Sequence, residues 1–502
     1  MTELLAAFAA LANWPALAAI VAGSIAGIIV GVLPGLGPGV AIAVLLPLTY
    51  GMSPLVGITL LMGLYCGAFY GGAATSILIR TPGEASSIMT MFDGYPMAQK
   101  GEPQRALSLA FMSAFIGGIA SAVLMAMTLA LVAKFTSRFG AAEFAMTTIL
   151  ALVCVAKAYK GQFPVAAMML GLGVFVGTIG IDMTSNEQRY TFGFTQVLTG
   201  VPLIPVIIGL FGVAQAQVLL STVPAEQANV TPMPSAGVSF KAFLEPFRFP
   251  ATLTKSTAIG IVIGVLPAVG AALSTSLSYF EAKRSSADPD AFGKGSPEGI
   301  IAAEAANNSN SGGAMATVLA LGIPGDAITA IIIGVFIVHG VYPGPLLLND
   351  KPELVYGIFA ALIAINVAIL LSLIVLTRYL ALFVRVDPRI LGVVILALCF
   401  IGAYAVTTSL YSVWIALGAG ALGWLCALLR LPVIPMALGL VLGDNLEATL
   451  RQALTISGGS AMIFVTHPIA AVITSVTVVF LMWPLIARGY GAVTKKLERS
   501  QM

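Results

Sequence analysis

Apolar stretches of about 20 residues recur along almost the whole of this chain, and each is long enough to cross a bilayer as a helix. They are read at about 14–33, 39–50, 54–79, 106–133, 141–158, 162–182 and 197–221, then at about 256–280, 300–322, 326–345, 354–377, 387–406, 409–429, 431–445 and 461–487. A water-soluble surface could not be built from what remains. Only 9% of the 502 residues are charged, against about 25% in a soluble domain. The formal charge of +3 is small and scattered, which speaks against a nucleic-acid partner. The lipid bilayer is therefore the solvent this sequence is written for.

Several of these spans are too short, or too interrupted by Gly and Pro, to cross alone. The expectation is an all-α polytopic membrane protein with about ten to twelve transmembrane helices and some re-entrant or broken ones. Before Arg80 the only charge is Glu3, so the basic region of a secretory signal is missing. Cys66, Cys154, Cys399 and Cys426 sit singly in apolar runs and read as packing thiols, with no metal-ligand spacing. His339 and His467 are the only histidines, which leaves little for a histidine metal site or a catalytic triad. The tail carries Arg488, Lys495, Lys496 and Arg499, and the 378–389 loop carries Arg378, Arg385 and Arg389. The positive-inside rule expects both on the cytoplasmic side, which requires that 431–445 also crosses. The N-terminal side stays open.

The chain also repeats itself. Gly27-Ile-Ile-Val-Gly31-Val-Leu-Pro34-Gly-Leu-Gly37 returns as Gly260-Ile-Val-Ile-Gly264-Val-Leu-Pro267-Ala-Val-Gly270. Gly71-Gly72-Ala73 leading to Thr81-Pro82-Gly83-Glu84-Ala85 returns as Gly312-Gly313-Ala314 leading to Ile323-Pro324-Gly325-Asp326-Ala327. Ile204-Pro205 with Gly209 returns as Ile434-Pro435 with Gly439. Three matches in the same order point to duplication, with a first repeat at 1–221, a polar linker at 222–254 and a second repeat at 255–502. Duplicated halves with Gly/Pro-interrupted helices at matching places are a sequence pointer to a secondary transporter. A broken helix frees N–H and C=O groups at membrane depth, and these survive only inside protein or beside a polar cavity. The freed N–H groups suit an anion.

The candidate site follows from those breaks. Pro34-Gly35-Leu36-Gly37-Pro38-Gly39 reads either as a tight turn or as a backbone cradle at a helix break, and Gly23, Gly27 and Gly31 have the small-xxx-small spacing of close helix packing. Glu304-Ala-Ala-Asn307-Asn308-Ser309-Asn310-Ser311 is the most polar stretch flanked by membrane-like sequence. It is either a loop or a set of neutral ligands for a carboxylate and a sodium ion. The apolar Ala314–Leu321 and the following Gly322-Ile-Pro-Gly325 have the shape of a re-entrant hairpin. Glu84 and Asp326 each follow a Pro-Gly pair, either as functional groups at membrane depth or as solvated helix caps. Arg80 has three readings: a partner of Glu84, an anion contact, or a snorkelling end residue. His339 reads as a hydrogen-bonded helix-end histidine. Asp182, Glu187 and Arg189 read as an exposed loop, as do Asp444, Glu447 and Arg451, whose helical spacing allows local ion pairs.

These motifs resemble the large permease subunit of the bacterial tripartite tricarboxylate transporters. The resemblance rests on Gly31-Val-Leu-Pro-Gly-Leu-Gly37, Tyr70-Gly-Gly, Thr81-Pro-Gly83 and Asp93-Gly-Tyr-Pro-Met-Ala-Gln-Lys-Gly101. In the second half it rests on Glu304-Ala-Ala-Asn-Asn308, Leu321-Gly-Ile-Pro-Gly325 and Pro343-Gly-Pro345. It implies two partners, a small membrane subunit of about four helices and a periplasmic solute-binding protein. It also implies an organic anion substrate and transport driven by a sodium or proton gradient. The absence of a Gly-x-x-x-x-Gly-Lys-Ser/Thr loop agrees with that last point. Three features depart from the resemblance: Ala268 where the first half has Gly35, the charged Glu84 and Asp326, and Arg80.

The reading is a binding-protein-dependent importer of the bacterial inner membrane, with its C-terminus in the cytoplasm and its two halves inverted. Gly35, Gly37, Thr81, Gly83, Asn307, Asn308, Ser309 and Gly325 are the expected substrate contacts. Glu84, Glu304, Asn310 and Asp326 are the candidates for ion coupling. No catalytic residue, metal site or cofactor is expected beyond a coupling Na+. A binding-protein-independent carrier or channel is the rival. An intramembrane enzyme is disfavoured, since neither His-Glu-x-x-His nor Gly-x-Ser-x-Gly occurs.

Overall fold

The computed structural model describes residues 2–482 apart from 34–35, 137, 160, 183–184, 222–236, 267–269, 345 and 381–385. The chain is almost wholly helical. In order it runs α1 (Thr2–Leu11), α2 (Trp14–Val32), α3 (Pro38–Leu45), α4 (Pro54–Ile79), α5 (Ile88–Gln99), α6 (Pro103–Thr136), α7 (Ala141–Ala158) and α8 (Phe163–Gly177). Then comes α9 (Leu203–Ser221), which contains a six-residue π segment at Ile208–Val213. After it run α10 (Pro250–Val265), α11 (Gly270–Ser285), α12 (Pro297–Leu321), α13 (Ala327–Val338) and α14 (Pro352–Leu376). The last are α15 (Pro388–Thr407), α16 (Leu410–Leu428), α17 (Val433–Ile456) and α18 (Pro468–Met482).

Among the described residues, 8 helices are long and apolar enough to span a membrane: α2, α4, α6, α9, α14, α15, α16 and α17. This is an all-α polytopic membrane protein. α17 meets the length and apolarity that a crossing after α16 requires. It also runs past the expected end near residue 445, because Asn445–Ile456 continues the helix without a Gly or Pro to stop it.

Helix ends follow local chemistry. Asn13 caps α2 by accepting from the Ala16 N–H at 3.0 Å, and Pro15 sits where a missing N–H costs nothing. α4 and α12 both stop on a left-handed residue, Arg80 (φ 56°) and Gly322 (φ 70°) respectively. The span expected at 256–280 is two helices, α10 ending at Val265 and α11 starting at Gly270. Pro267 has no N–H to continue the ladder, and Gly270 starts α11 at φ +74°. Nor is α11 apolar throughout. Its Ser278 Oγ donates to the Ala302 carbonyl of α12 at 2.9 Å.

Packing between the long helices depends on small residues, as it must where lipid is as apolar as leucine. α2 lies against α4: a Cβ on Gly31 would fall 2.2 Å from the Ala68 carbonyl oxygen, and one on Gly71 would fall 2.3 Å from that of Ile28. α10 lies against α12 in the same way, with Gly264 at the Asn310 carbonyl and Gly313 at that of Ile261. The halves of the chain then interlock reciprocally. α6 packs on α12 through Gly117 at Ala305, while α14 packs on α4, where Tyr70 Oη donates to Asn366 Oδ1 at 2.8 Å. Gly209 of α9 meets α16 at Ala416, and Gly439 of α17 meets α8 at Leu170. The largest fully buried side chains, Tyr65, Tyr70, Phe69, Phe111, Phe336 and Phe359, lie on α4, α6, α13 and α14 around α12.

Two polar connections lie outside this core. Residues 237–249 run from the linker back onto α6, where Ser239 N donates to Ser108 Oγ at 2.7 Å and Arg105 pairs with Glu245. The helix that follows, α10, begins at Pro250. The acidic and basic residues at 182–189 and 444–451 form one network, where two separate exposed groups were expected. Arg189 and Arg451 both pair with Asp182 and with Glu447, and a two-residue antiparallel ladder pairs Gly180 with Arg189. Sequence spacing revealed only the pair within the helix, since the loop residues are more than 250 positions away.

Candidate functional site

Two turns and one helix build the centre. After α4 the chain turns through Arg80-Thr81-Pro82-Gly83-Glu84 into α5; after α12 it turns through Gly322-Ile-Pro-Gly325-Asp326 into α13. Both acidic residues are extended, Glu84 at φ −148°, ψ 168° and Asp326 at φ −148°, ψ −179°. Each preceding glycine is clamped. A Cβ on Gly83 would lie 2.2 Å from the Gly31 carbonyl oxygen and 2.8 Å from Gly72 Cα. On Gly325 it would lie 2.7 Å from the Gly264 carbonyl oxygen and 2.8 Å from Ala314 Cα. Each turn is thus folded onto the end of the interrupted helix of its own half.

The carboxylates are held by hydroxyls. Asp326 caps α13, accepting from Thr329 N at 2.7 Å and Thr329 Oγ1 at 2.8 Å, and its other oxygen accepts from Tyr65 Oη at 3.0 Å. Glu84 accepts from Ser86 Oγ, and Glu304 accepts from Thr90 Oγ1. Asp326 is a helix cap, but a buried one, at 6% exposure, and not a solvated one. Glu84, partly accessible, is close enough to Glu304 and Asp326 to interact with both electrostatically.

The polar stretch of the second half is a continuous, fully buried length of α12, and the turn comes only after Leu321. Glu304, Asn307, Asn308 and Ser311 stand at i, i+3, i+4 and i+7, which puts them on one helix face. Asn308 Nδ2 donates to the Glu304 carbonyl at 3.2 Å. Asn307 stands beside Glu84 as a neighbour able to donate to its carboxyl, whereas neither Nδ2 nor Oδ1 of Asn310 has a hydrogen-bond partner. Ser309 points elsewhere. Its Oγ returns to the Ala306 carbonyl at 3.4 Å and fills the space over Gly260.

Of the remaining predicted positions, Gly37 caps the N-terminus of α3 with nothing within 4 Å of its Cβ direction. Thr81 Oγ1 bonds the Ile79 carbonyl at 3.3 Å, within its own turn. Gly35 lies outside the described residues, as does Ala268. Arg80 is exposed and does not pair with Glu84; its guanidinium lies 5.6 Å from the centroid of the Tyr95 ring. His339 is a helix-end histidine whose Nε2 is 3.0 Å from Thr49 Oγ1. Among the described residues no group of three or more His, Cys, Asp or Glu side chains could hold a metal ion.

Sequence reasoning missed Tyr65, Thr90 and Ser86, the donors to the three carboxylates. It also missed the role of Asp93. Oδ1 of Asp93 accepts from the N–H groups of Gly293 (2.8 Å), Gly295 (2.9 Å) and Ser296 (2.7 Å), while Oδ2 accepts from Tyr279 Oη at 2.7 Å. Through this residue α5, carried by the first turn, is tied to the loop that starts α12. A lone Asp amid the apolar residues of α5 was the available signal.

Fold and centre together define a multi-pass membrane protein in which two clamped turns enclose buried ionisable groups, the arrangement expected of a transporter. The chain belongs to the tripartite tricarboxylate transporter TctA family, whose model it matches over residues 17–438. That is a transporter family of multi-component systems, and the resemblance read from the motifs holds. One relative from Agrobacterium vitis, an uncharacterized 52.8 kDa protein in the TAR-I ttuC′ 3′ region, is 35% identical over 435 residues, covering 87% of this chain and 86% of the relative. A second, from the TAR-II ttuC′ 3′ region of Agrobacterium vitis, is 35% identical over 212 residues, or 42% of this chain and 88% of the relative. No solved structure matches.

Proposed function

We propose that this chain is the large membrane subunit of a tripartite secondary transporter that takes a small organic anion from a periplasmic binding protein and imports it across the bacterial inner membrane. A small subunit of about four helices would complete the membrane part, and the C-terminus would face the cytoplasm. The observation that carries the reading is the meeting of the Glu84 and Asp326 turns at the buried Glu304–Asn307 face of α12. Polar groups without partners at such a place are costly unless a solute or ion satisfies them.

In this reading Glu84, Glu304, Asn310 and Asp326 take up the coupling ion, a proton or Na+, and Asn307 and Asn308 contact the solute. The matching contacts of the two halves support a repeat; taken as inverted, it would give alternating access by movement of the two turns against the surrounding helices. The test is uptake of labelled carboxylates by cells expressing this chain with its small subunit and binding protein. Uptake that requires all three parts and collapses with one ion gradient is the expected result. Uptake that persists without the binding protein would favour an independent carrier.

A further inference from the structure

Within the connection 237–249 the side chains sort themselves by face. Phe240–Phe243 forms one helical turn and Glu245–Arg248 a second, tighter one. Ala242, Phe243 and Pro246 are buried against the protein, whereas Phe240, Leu244 and Phe247 are exposed at 70%, 66% and 53%. Their spacing of i, i+4 and i+7 places the three on one face. Lys241 and Arg248 flank it, both exposed, and neither forms an ion pair among the described residues. The one acid of the segment, Glu245, is taken by Arg105.

The height of this face follows from α6. Ser239 and Glu245 are bound to Ser108 and Arg105, in the first two turns of a helix that is apolar enough to span the membrane from Pro103. The segment is thus held where α6 enters the bilayer, and α10 starts directly from it at Pro250. A contiguous apolar patch of this kind is unfavourable in water. A lipid boundary accommodates it, with the apolar face among acyl chains and the cations at the phosphates.

We propose that residues 239–249 lie in the plane of the membrane as an anchor, with Phe240, Leu244 and Phe247 at the acyl boundary and Lys241 and Arg248 on anionic phospholipid headgroups. The leaflet is the cytoplasmic one. Thr252 Oγ1 donates to Glu298 at 3.0 Å, Ser286 Oγ donates to Glu298 at 3.1 Å, and Lys100 Nζ donates to the Lys294 carbonyl at 2.7 Å. These bonds gather exposed Lys100, Lys255, Lys283, Arg284 and Lys294 at the same end of the molecule. By the positive-inside rule such a cluster belongs on the cytoplasmic side. The anchor sets the depth of α10, which packs through Gly264 on α12, the helix that carries Glu304.

The test uses the full chain in lipid nanodiscs, with Cys154→Ala so that the three remaining thiols are buried. A nitroxide is attached at Phe240→Cys, Leu244→Cys and Phe247→Cys in turn, and at Lys241→Cys for comparison. At the three apolar positions collisions with dissolved oxygen should exceed those with an aqueous nickel chelate, and at 241 the nickel collisions should gain on those with oxygen. In the unlabelled chain, replacing part of a phosphatidylcholine bilayer by phosphatidylglycerol should raise the melting temperature. Lys241→Gln and Arg248→Gln should each need about fivefold more phosphatidylglycerol for the same rise, the effect of one cation near an anionic surface. Both side chains are exposed, so melting in phosphatidylcholine alone should match the native chain and shows that each variant is folded. Nickel collisions dominating at all three apolar positions would put the face in water and overturn the proposal. Few collisions with either reagent would overturn it too, because protein then covers the face: this chain itself, or the small subunit if the collisions fall only when it is added. An unchanged phosphatidylglycerol requirement in both variants would overturn the headgroup contact and with it the choice of anionic lipid.

Discussion

The Tyr65 hydroxyl donates to Asp326 Oδ2 at 3.0 Å, although 261 residues separate the two in the chain. Tyr65 lies in the middle of α4, on the first half, and Asp326 caps α13 at the turn of the second. The bond therefore ties the second half's turn to the helix that leads into the first half's turn. Tyr65 is fully buried, so no water can replace it as donor.

Tyr65→Phe keeps the ring and removes only this donor, leaving one oxygen of a buried carboxylate without its partner. The expected cost is about 1–3 kcal/mol, seen as a lower melting temperature of the purified protein and slower solute uptake. Asp326→Asn retains acceptor and cap chemistry and should melt closer to the native chain. Equal melting of Tyr65→Phe and native protein would mean that the two turns are held without this bond.

Gly83 and Gly325 are clamped to different degrees, and that difference can be measured. A Cβ on Gly83 would enter to 2.2 Å of a main-chain oxygen, while on Gly325 the corresponding distance is 2.7 Å. Backbone cannot yield as a side chain can, so Gly83→Ala should destabilise at the upper end of the roughly 1–3 kcal/mol range for overpacking and Gly325→Ala below it. Gly37→Ala is the control. Gly37 has φ −66° and an empty Cβ direction, so the change should leave melting almost unaltered.

Much of this architecture could be read from the sequence, because membrane helices must be long, apolar and internally bonded. Gly31, Gly83, Gly264 and Gly325 could be found because their echoes mark the same backbone approach twice. The polar run on α12 was visible as composition, but not which of its side chains share a face. Asn307 and Ser309 looked equivalent as neighbours, yet a helix turns about 100° per residue and sends Ser309 to Gly260, away from Glu84. Tyr65 and Thr90 gave no signal at all. A single hydroxyl in an apolar helix becomes informative only once its partner, more than 200 residues away, is brought beside it.

Asp93, midway along α5, offers a further prediction. One carboxylate oxygen collects three N–H donors of the 293–296 loop, and the other takes Tyr279. Hydrogen bonds to a charged group contribute about 1.5–3 kcal/mol each, though not additively. Asp93→Ala should release the loop, and exposed Lys294 should then be cut by trypsin faster than in the native protein. Asp93→Asn, which keeps one acceptor oxygen, should fall between the two. If Lys294 is cleaved equally fast in all three, the loop is held by other contacts, of which Lys100 Nζ to the Lys294 carbonyl at 2.7 Å is the first to remove.

The Asp182–Arg189–Glu447–Arg451 network should separate buried from exposed charge. The Asp182 side chain is 8% exposed and pairs with both arginines, whereas that of Glu447 is 31% exposed. Solvent screens the second more than the first, and exposed pairs contribute only about 0–1 kcal/mol. Glu447→Gln should therefore lower the melting temperature slightly, and the difference from the native chain should shrink in high salt. Asp182→Asn should cost more, because it leaves two guanidinium groups facing one another with half their acceptors gone, and added salt should recover little of the loss. Equal effects of the two substitutions at both ionic strengths would show that the ladder of Gly180 and Arg189, and not the charge on Asp182, fixes this loop to α17.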